Sequence, residues 1–252
     1  NDLDSNFKSN FASFISVFSS AGIDYHIAFI TTDSEEFVDG TIITAADPDP
    51  VSTVNTIVDN IGTSGSPQEA GLYYSYLSTT AGAPAGRGGS FLRDDAKLVV
   101  IYVSDEPDHS SYRDSSLTES DYITHLRSLK SATNLIAAHA VAGDYPSGCS
   151  SNGGAQFGDG YYDVVTSLGG SFLSICADDW GGAMDTLARE SVVTSTFVLT
   201  ENAIDGTIEV SVDGVLSTDW YYDESINAVQ FNVAPPEGSE IEITYAVWSC
   251  EE

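Results

Sequence analysis

Positive charge is what this sequence has least of: lysine and arginine number 8 in 252 residues, against 38 aspartates and glutamates. The formal net charge is −30 at pH 7. Binding to nucleic acid or to an anionic membrane depends on cationic groups that neutralise phosphates, so we expect no nucleic-acid partner. The composition favours a solvated acidic surface in salty or extracellular water, with a minority of the carboxylates in calcium or magnesium sites.

Long apolar runs are also missing. No stretch approaches the ~18 consecutive apolar residues of a membrane-spanning helix, so we expect no membrane insertion. No signal peptide precedes Asn1, as in the mature part of an exported protein, although a cytosolic protein would look the same. With 42% apolar residues, the chain can bury a full core and also carry a small second module.

Cysteine is scarce as well, with three residues: Cys149, Cys176 and Cys250. No CxxC pair or HxxxH accompanies them, which argues against a zinc site. Cys149 lies in a Gly/Ser-rich loop and Cys176 follows an apolar strand. We therefore predict a disulfide between these two and an oxidising location, extracellular or at the cell surface. Cys250 is then expected to be unpaired within the chain, or linked to an upstream segment.

Apolar patterning predicts alternating helices and strands over the first 192 residues. The predicted helices cover about 3–18, 51–61, 67–79, 118–132, 161–168 and 180–191, and the predicted strands about 25–31, 37–43, 97–103, 134–141 and 171–175. The run 97–103 is continuously apolar, as is typical of a parallel strand buried on both faces. The pattern predicts an α/β fold, a doubly wound, mainly parallel sheet with helices on both faces.

The pattern changes after residue 193. Short, alternating segments rich in Val, Ile, Thr and Tyr are separated by turns such as Asp213-Gly214. These segments predict strands at about 196–199, 207–212, 219–222, 228–233 and 240–245. We therefore predict two domains, 1–192 and 193–252, of which the second is a small antiparallel β-sandwich-like module.

The sequence with the clearest chemistry follows the predicted strand 97–103 and reads Ser104-Asp-Glu-Pro-Asp-His-Ser110. It contains three carboxylates and two hydroxyls. Unpaired charges cannot enter the core, so these groups lie at the carboxyl end of the strand, where ligands bind in open α/β sheets. A hard cation could gather their oxygens there. The alternative is a solvated acidic turn that caps the next helix.

An apolar strand followed by Ser-Asp-Glu-x-Asp resembles the third loop of the metal-ion-dependent adhesion site in bacterial von Willebrand factor A-type domains. Other similar stretches are the amphipathic first helix, Thr31-Thr-Asp33, Gly62-Thr-Ser-Gly-Ser-Pro-Gln-Glu69, Phe91-Leu-Arg-Asp-Asp95 and Gly169-Gly-Ser-Phe172. The resemblance covers about residues 1–192 and implies a von Willebrand A-like fold. It also implies a site for magnesium or calcium at the carboxyl end of the central strand.

The resemblance implies specific ligands for that cation. The expected metal ligands are oxygens of Asp105, Ser66 and Asp108. Further residues are expected on the rim that contacts the bound ligand: Thr63, Ser64, Glu106, His109 and Asp33. Thr63 and Ser64 are also substitutes for Ser66, and the alternative role of Ser66 is to cap a helix that begins at Pro67.

One part of the family pattern is missing. The family's first metal loop, Asp-x-Ser-x-Ser, closes a strand directly before the first helix, and this chain begins on that helix. The resemblance therefore implies that an upstream fragment or a neighbouring subunit donates the missing strand, which would lie between 25–31 and the central strand 97–103. Without that strand we expect the cation to bind weakly or not at all.

Enzyme signatures are not found. Gly62-Thr-Ser-Gly-Ser66 is one glycine out of place for a G-x-S-x-G elbow, and HExxH and P-loop motifs do not occur. We therefore expect an extracellular, cation-dependent adhesion or ligand-binding domain that takes a protein or glycan ligand, and no enzyme. The alternatives are a structural subunit of an extracellular fibre or surface assembly, completed by a partner's strand, and, third, a hydrolase.

Overall fold

The structure, a computed structural model, describes residues 2–20, 23–62, 65–66, 68–94, 96–131, 135–151, 154–178, 180–191, 196–224, 227–231, 235 and 239–247. The chain divides into two compact units, Asn1–Val192 and Val193–Glu252. The first unit is mixed α/β and the second is built from β-strands.

Six α-helices lie in the described part of the first unit. They are α1 (Asp2–Ser20), α2 (Pro50–Ile61), α3 (Gly71–Thr79), α4 (Glu119–Ser128), α5 (Tyr161–Ser167) and α6 (Trp180–Ser191). Local capping explains two of their starts. The Asp49 carboxylate accepts the Ser52 N–H at 3.0 Å ahead of α2, whose first residue is a proline. The Asp121 carboxylate accepts the Thr118 N–H at 2.9 Å at the start of α4.

In the described part of the first unit, the main sheet has three parallel strands, β3 (Leu98–Ser104), β4 (Ile136–Ala142) and β5 (Phe172–Ser174), in the order β3-β4-β5. All seven residues of β4 are buried. Two shorter strands, β1 (His26–Ile27) and β2 (Ile43–Thr44), pair antiparallel with each other. The predicted strand 25–31 is therefore wrong in extent, since only His26–Ile27 pair as a strand.

Helices cover both faces of this sheet, and each face has its own apolar cluster. One cluster joins β3 and β4 to α1, α2 and α6, and contains Phe11, Phe14, Ile57, Met184 and Leu187. The other joins the same strands to α3, α4 and α5, and contains Leu72, Tyr102, Leu126, Tyr161 and Val164.

The position of β3 corrects one expectation. The run 97–103 was predicted to be a central strand, but among the described residues β3 pairs with β4 alone and is an edge of the sheet. Its two faces explain the apolar sequence: Leu98 and Tyr102 belong to one cluster, and Ile101 packs against the other. Two covered faces require apolar side chains even where the backbone edge is free, so the sequence pattern alone cannot distinguish these cases.

Within its described residues, the second unit has two antiparallel three-stranded sheets. The first contains β6 (Thr196–Val198), β10 (Ala228–Phe231) and β9 (Trp220–Asp223), and the second contains β11 (Ile241–Thr244), β7 (Glu209–Val212) and β8 (Val215–Leu216). Strand β8 was not predicted. It completes a hairpin with β7 through a turn in which Asp213 has φ 52° and Gly214 has φ 76°, the conformation favoured by Asp-Gly.

The sulfurs of Cys149 and Cys176, the expected pair, lie 2.02 Å apart and form a disulfide. Cys250 lies outside the described residues. No helix in the described ranges is long and apolar enough to cross a membrane.

Candidate functional site

The acidic loop, residues 105–110, begins where β3 ends. Ser104, the last residue of β3, is 2% exposed. Its hydroxyl donates a hydrogen bond to the Glu69 carboxylate and accepts the Glu106 N–H at 3.1 Å. The hydroxyl therefore joins the loop after β3 to the segment that precedes α3.

Glu69 is a carboxyl group of this loop region whose pKa is shifted by its surroundings. Its backbone carbonyl accepts the His109 N–H at 2.6 Å and its carboxylate accepts the Ser104 hydroxyl, so both the backbone and the side chain of Glu69 are held. Burial raises the pKa of the Glu69 carboxyl, and the negative charges of Asp105, Glu106 and Asp33 raise it further, against a lowering by the bond from Ser104. These four carboxylates therefore share one region of negative potential.

Asp33 and Ser66 lie on the same rim. The Asp33 carboxylate accepts the Ser66 N–H at 2.8 Å and pairs with the Arg113 guanidinium at 3.3 Å. The guanidinium also lies 5.6 Å from the centre of the Tyr74 ring. Arg113 thus brings one positive charge to an otherwise acidic surface.

Asp108 has a different role from its neighbours. One carboxylate oxygen accepts the Leu72 N–H at 3.1 Å and the Ser110 hydroxyl at 2.9 Å, and the other accepts the Ser110 N–H at 3.0 Å. Burial raises the pKa of the Asp108 carboxyl. Both oxygens are engaged in capping α3 and in closing the loop, which leaves Asp105 as the more accessible carboxylate.

Tyr161, the first residue of α5, lies beneath this network. Its ring stacks on Tyr102 with the centroids 5.0 Å apart, and its hydroxyl accepts the Gly71 N–H at 3.3 Å. A Cβ at Gly71 would lie 2.7 Å from that oxygen, so the close approach requires glycine. Burial raises the pKa of the Tyr161 hydroxyl, so it acts as a neutral hydrogen-bonding group.

Gln156 reaches the loop from a distant part of the chain. Its N–H donates to the Asp105 carbonyl at 2.9 Å, and its side-chain amide donates to the Glu106 carboxylate. Sequence reasoning missed Gln156, since it lies in a Gly-rich loop without any motif. It also missed Glu69 and Arg113 as members of the site, although Glu69 ends one of the stretches that resemble the family.

The structure brings most of the expected residues to one rim. The charges of Asp33, Asp105 and Glu106 act on Glu69, the His109 N–H donates to the Glu69 carbonyl, and the Ser66 N–H donates to Asp33. Thr63 and Ser64 lie outside the described residues. Within the described ranges, no three His, Cys, Asp or Glu side chains converge closely enough to hold a metal ion by themselves.

Ser66 does not cap a helix beginning at Pro67, because α3 begins four residues later, at Gly71. Its hydroxyl instead accepts the Gln68 N–H at 3.1 Å within the loop. The loop therefore leaves Ser66 on the rim beside Asp33.

No family model, curated protein or solved structure matches this chain.

Proposed function

We propose that the first unit is an extracellular, cation-dependent binding domain of the von Willebrand A type. A magnesium or calcium ion at the carboxyl end of β3 would complete its coordination with a carboxylate or carbonyl oxygen of a protein or glycan ligand. The observation that carries the proposal is the cluster of Asp33, Glu69, Asp105 and Glu106, in which burial raises the pKa of Glu69 and the charges of the other three carboxylates raise it further. Such mutual repulsion is relieved when a cation binds among the carboxylates.

The residues on the rim fit a hard cation in their chemistry. Asp105 offers an exposed carboxylate and Ser66 a hydroxyl, and both are oxygen donors of the kind that magnesium and calcium prefer. Asp108, the third expected ligand, has both oxygens engaged, so its contribution is to hold α3 in place. Because the described residues supply only part of a coordination shell, further oxygens must come from the ligand or from another segment.

A bound cation would supply a fixed positive charge that attracts an anionic ligand group. The chain itself orients the rim: Ser104 holds Glu69, Asp33 holds the backbone at Ser66, and Arg113 offers a second positive contact to the ligand. Exposed Tyr112, whose ring lies 5.5 Å from that of His109, adds an apolar contact beside them.

The cation proposal is tested by calorimetric titration with Mg²⁺ and with Ca²⁺. We expect weak binding, with Kd in the ~10⁻⁴–10⁻³ M range of extracellular modules. Asp105→Ala should weaken it by about tenfold or more, the effect of ~1.4 kcal/mol. The matched control is Asp185→Ala, which removes an exposed carboxylate paired with Arg189 in α6. Equal affinity of the Asp105→Ala variant and the unsubstituted chain would contradict the proposal.

A structural subunit is the second candidate function, and the free edge of β3 favours it. Among the described residues, the N–H and C=O groups on that edge have no strand opposite them, while helices cover both faces. An extended segment from an upstream fragment or a neighbouring subunit would pair with this edge by main-chain hydrogen bonds. Sedimentation of the native protein separates the candidates: a monomer that binds Mg²⁺ supports adhesion, and a polymer supports assembly.

A further inference from the structure

A short series of contacts connects the disulfide to the acidic loop. Cys176 follows β5 and is bonded to Cys149. Cys149 and Ala155 exchange two backbone hydrogen bonds, each 2.9 Å long. Gln156 is the next residue, so the disulfide fixes the segment from which Gln156 reaches the acidic loop.

Backbone packing on the other side also fixes Gln156. A Cβ at Gly143 would lie 1.7 Å from the Gln156 carbonyl oxygen, so glycine at 143 allows the segment to lie directly against the end of β4. Gly143 and Phe157 form a parallel bridge, and the Gly158 N–H donates to the Gly143 carbonyl at 3.1 Å. The position of Gln156 is thus determined by the end of β4 and by the disulfide to the end of β5.

Gln156 bonds two consecutive residues of the acidic loop. Its N–H holds the Asp105 carbonyl and its side-chain amide holds the Glu106 carboxylate. A carboxylate bonded in this way is oriented, and its charge is partly balanced by the amide dipole. The loop therefore depends on a residue that it does not neighbour in the sequence.

We propose that Gln156 is a positioning residue for the acidic loop at Asp105 and Glu106, and that the Cys149–Cys176 disulfide keeps Gln156 in place. Reduction by a dithiol transfers two electrons and two protons to the two sulfurs and oxidises the reductant to its own disulfide. The freed Cys149 segment then no longer holds Gln156, and the Asp105–Glu106 loop loosens. The consequence for cation binding, a weaker site in the reduced protein, rests on the proposed function.

Hydrogen exchange measured by mass spectrometry tests the positioning role without any metal. The unsubstituted chain is compared before and after reduction with dithiothreitol. We expect exchange at the Gln156 and Glu106 amides to accelerate by about tenfold or more, which corresponds to ~1.4 kcal/mol of local stability. Amides in the centre of β4 should keep their rates. Unchanged exchange at Gln156 would overturn the proposal, and so would an equal acceleration throughout the first unit.

A side-chain variant tests Gln156 with the disulfide intact. Gln156→Ala should accelerate exchange at the Glu106 amide by about fivefold, the factor for ~1 kcal/mol from one lost hydrogen bond. Gln230→Ala is the matched control, because Gln230 also donates to a carboxylate, that of Asp223, at 3.0 Å in the second unit. Equal exchange at Glu106 in the Gln156→Ala and Gln230→Ala variants would overturn the positioning role.

Titration of the oxidised and reduced proteins with Ca²⁺ separates this inference from the function on which it rests. If exchange responds to reduction but neither form binds Ca²⁺, the positioning role stands and the cation function fails. If both forms bind Ca²⁺ equally and exchange is unchanged, the cation function stands and the positioning role fails. Weaker Ca²⁺ binding by the reduced form, together with faster exchange, supports both.

Discussion

Single side chains in the first unit take their roles from partners far away in the sequence. Ser104 bonds Glu69 across 35 positions, and Gln156 bonds Glu106 across 50. No local pattern encodes such pairs, because the sheet brings their backbones together only after folding. Asp33, Asp105 and Glu106 could be placed on the rim from the sequence since each follows a predicted strand, whereas Gln156 could not.

His125 on α4 is a half-buried titratable group away from the rim. Its Nε2 lies 2.8 Å from the Thr79 hydroxyl, and its ring lies 4.5 Å from that of Tyr76. Burial lowers the pKa of the His125 imidazole below its ordinary value of 6.5. The unfolded chain therefore binds this proton more readily than the folded chain. The contribution of His125 to stability is present above pH 6.5 and is lost as the pH falls below it.

We predict that His125→Gln reduces the loss of stability on acidification. Glutamine retains a hydrogen-bonding group for Thr79 but does not titrate. Urea unfolding at a series of pH values from 7.5 to 5 gives the free energy of unfolding of both proteins. Below pH 6.5, the free energy of unfolding should fall less in the variant than in the unsubstituted chain. Parallel pH profiles for the two proteins would contradict the prediction.

Helix α3 shows how a cap from another element determines where a helix begins. The sequence predicts a helix over 67–79 because proline is favoured in a first turn. The observed helix begins at Gly71, and Asp108, from the loop after β3, accepts the Leu72 N–H. The N-cap residue Ala70 has no side chain to do this.

Asp108→Ala should lower the free energy of unfolding by about 2–4 kcal/mol, because it leaves buried donors at Leu72 and Ser110 without an acceptor. The measurement is urea unfolding monitored by circular dichroism. Asp114→Ala is the matched control, since Asp114 makes similar bonds to Ser116 in an exposed turn and should cost much less. Equal losses in the two variants would show that Asp108 does not have this capping role.

The elements that are predicted well from the sequence have recognisable local sequence features. Helix α2 has an Asp-Pro start, α4 has a carboxylate cap, and β4 is buried throughout and apolar except for His139. The strand at 25–31 is shorter than predicted, and β8 was not predicted at all. A two-residue strand beside a turn has too few side chains to show alternation, so β8 depends on its pairing with β7.

Net charge acts on the entire molecule. With 38 acidic and 8 basic residues, we expect repulsion between carboxylates to outweigh the attraction in pairs such as Lys8–Asp59 and Arg93–Asp24. Exposed ion pairs contribute little to stability, so screening them costs little. Screening the repulsion should therefore be the larger effect of added salt.

We predict that the melting temperature rises between 0.01 M and 1 M NaCl, over which the Debye length falls from about 30 to 3 Å. Relief of about 2 kcal/mol of repulsion corresponds to a rise of about 4–8 °C. Scanning calorimetry gives the value, and KCl at the same ionic strength should give the same rise if screening is the cause. A lower melting temperature at high salt would mean that the attractive pairs dominate.

The contact between α1 and α6 has a consequence for synthesis on the ribosome. These helices pack against each other in the first unit, but α1 ends at Ser20 and α6 begins at Trp180. At ~5–20 residues per second, about 10–30 s separate their appearance. Until then the aromatic stripe of α1, with Phe7, Phe11, Phe14 and Phe18, has no α6 to cover it. The newly made chain therefore exposes the aromatic stripe of α1 long before α6 can cover it, so a chaperone has most apolar surface to shield in the interval before α6 emerges.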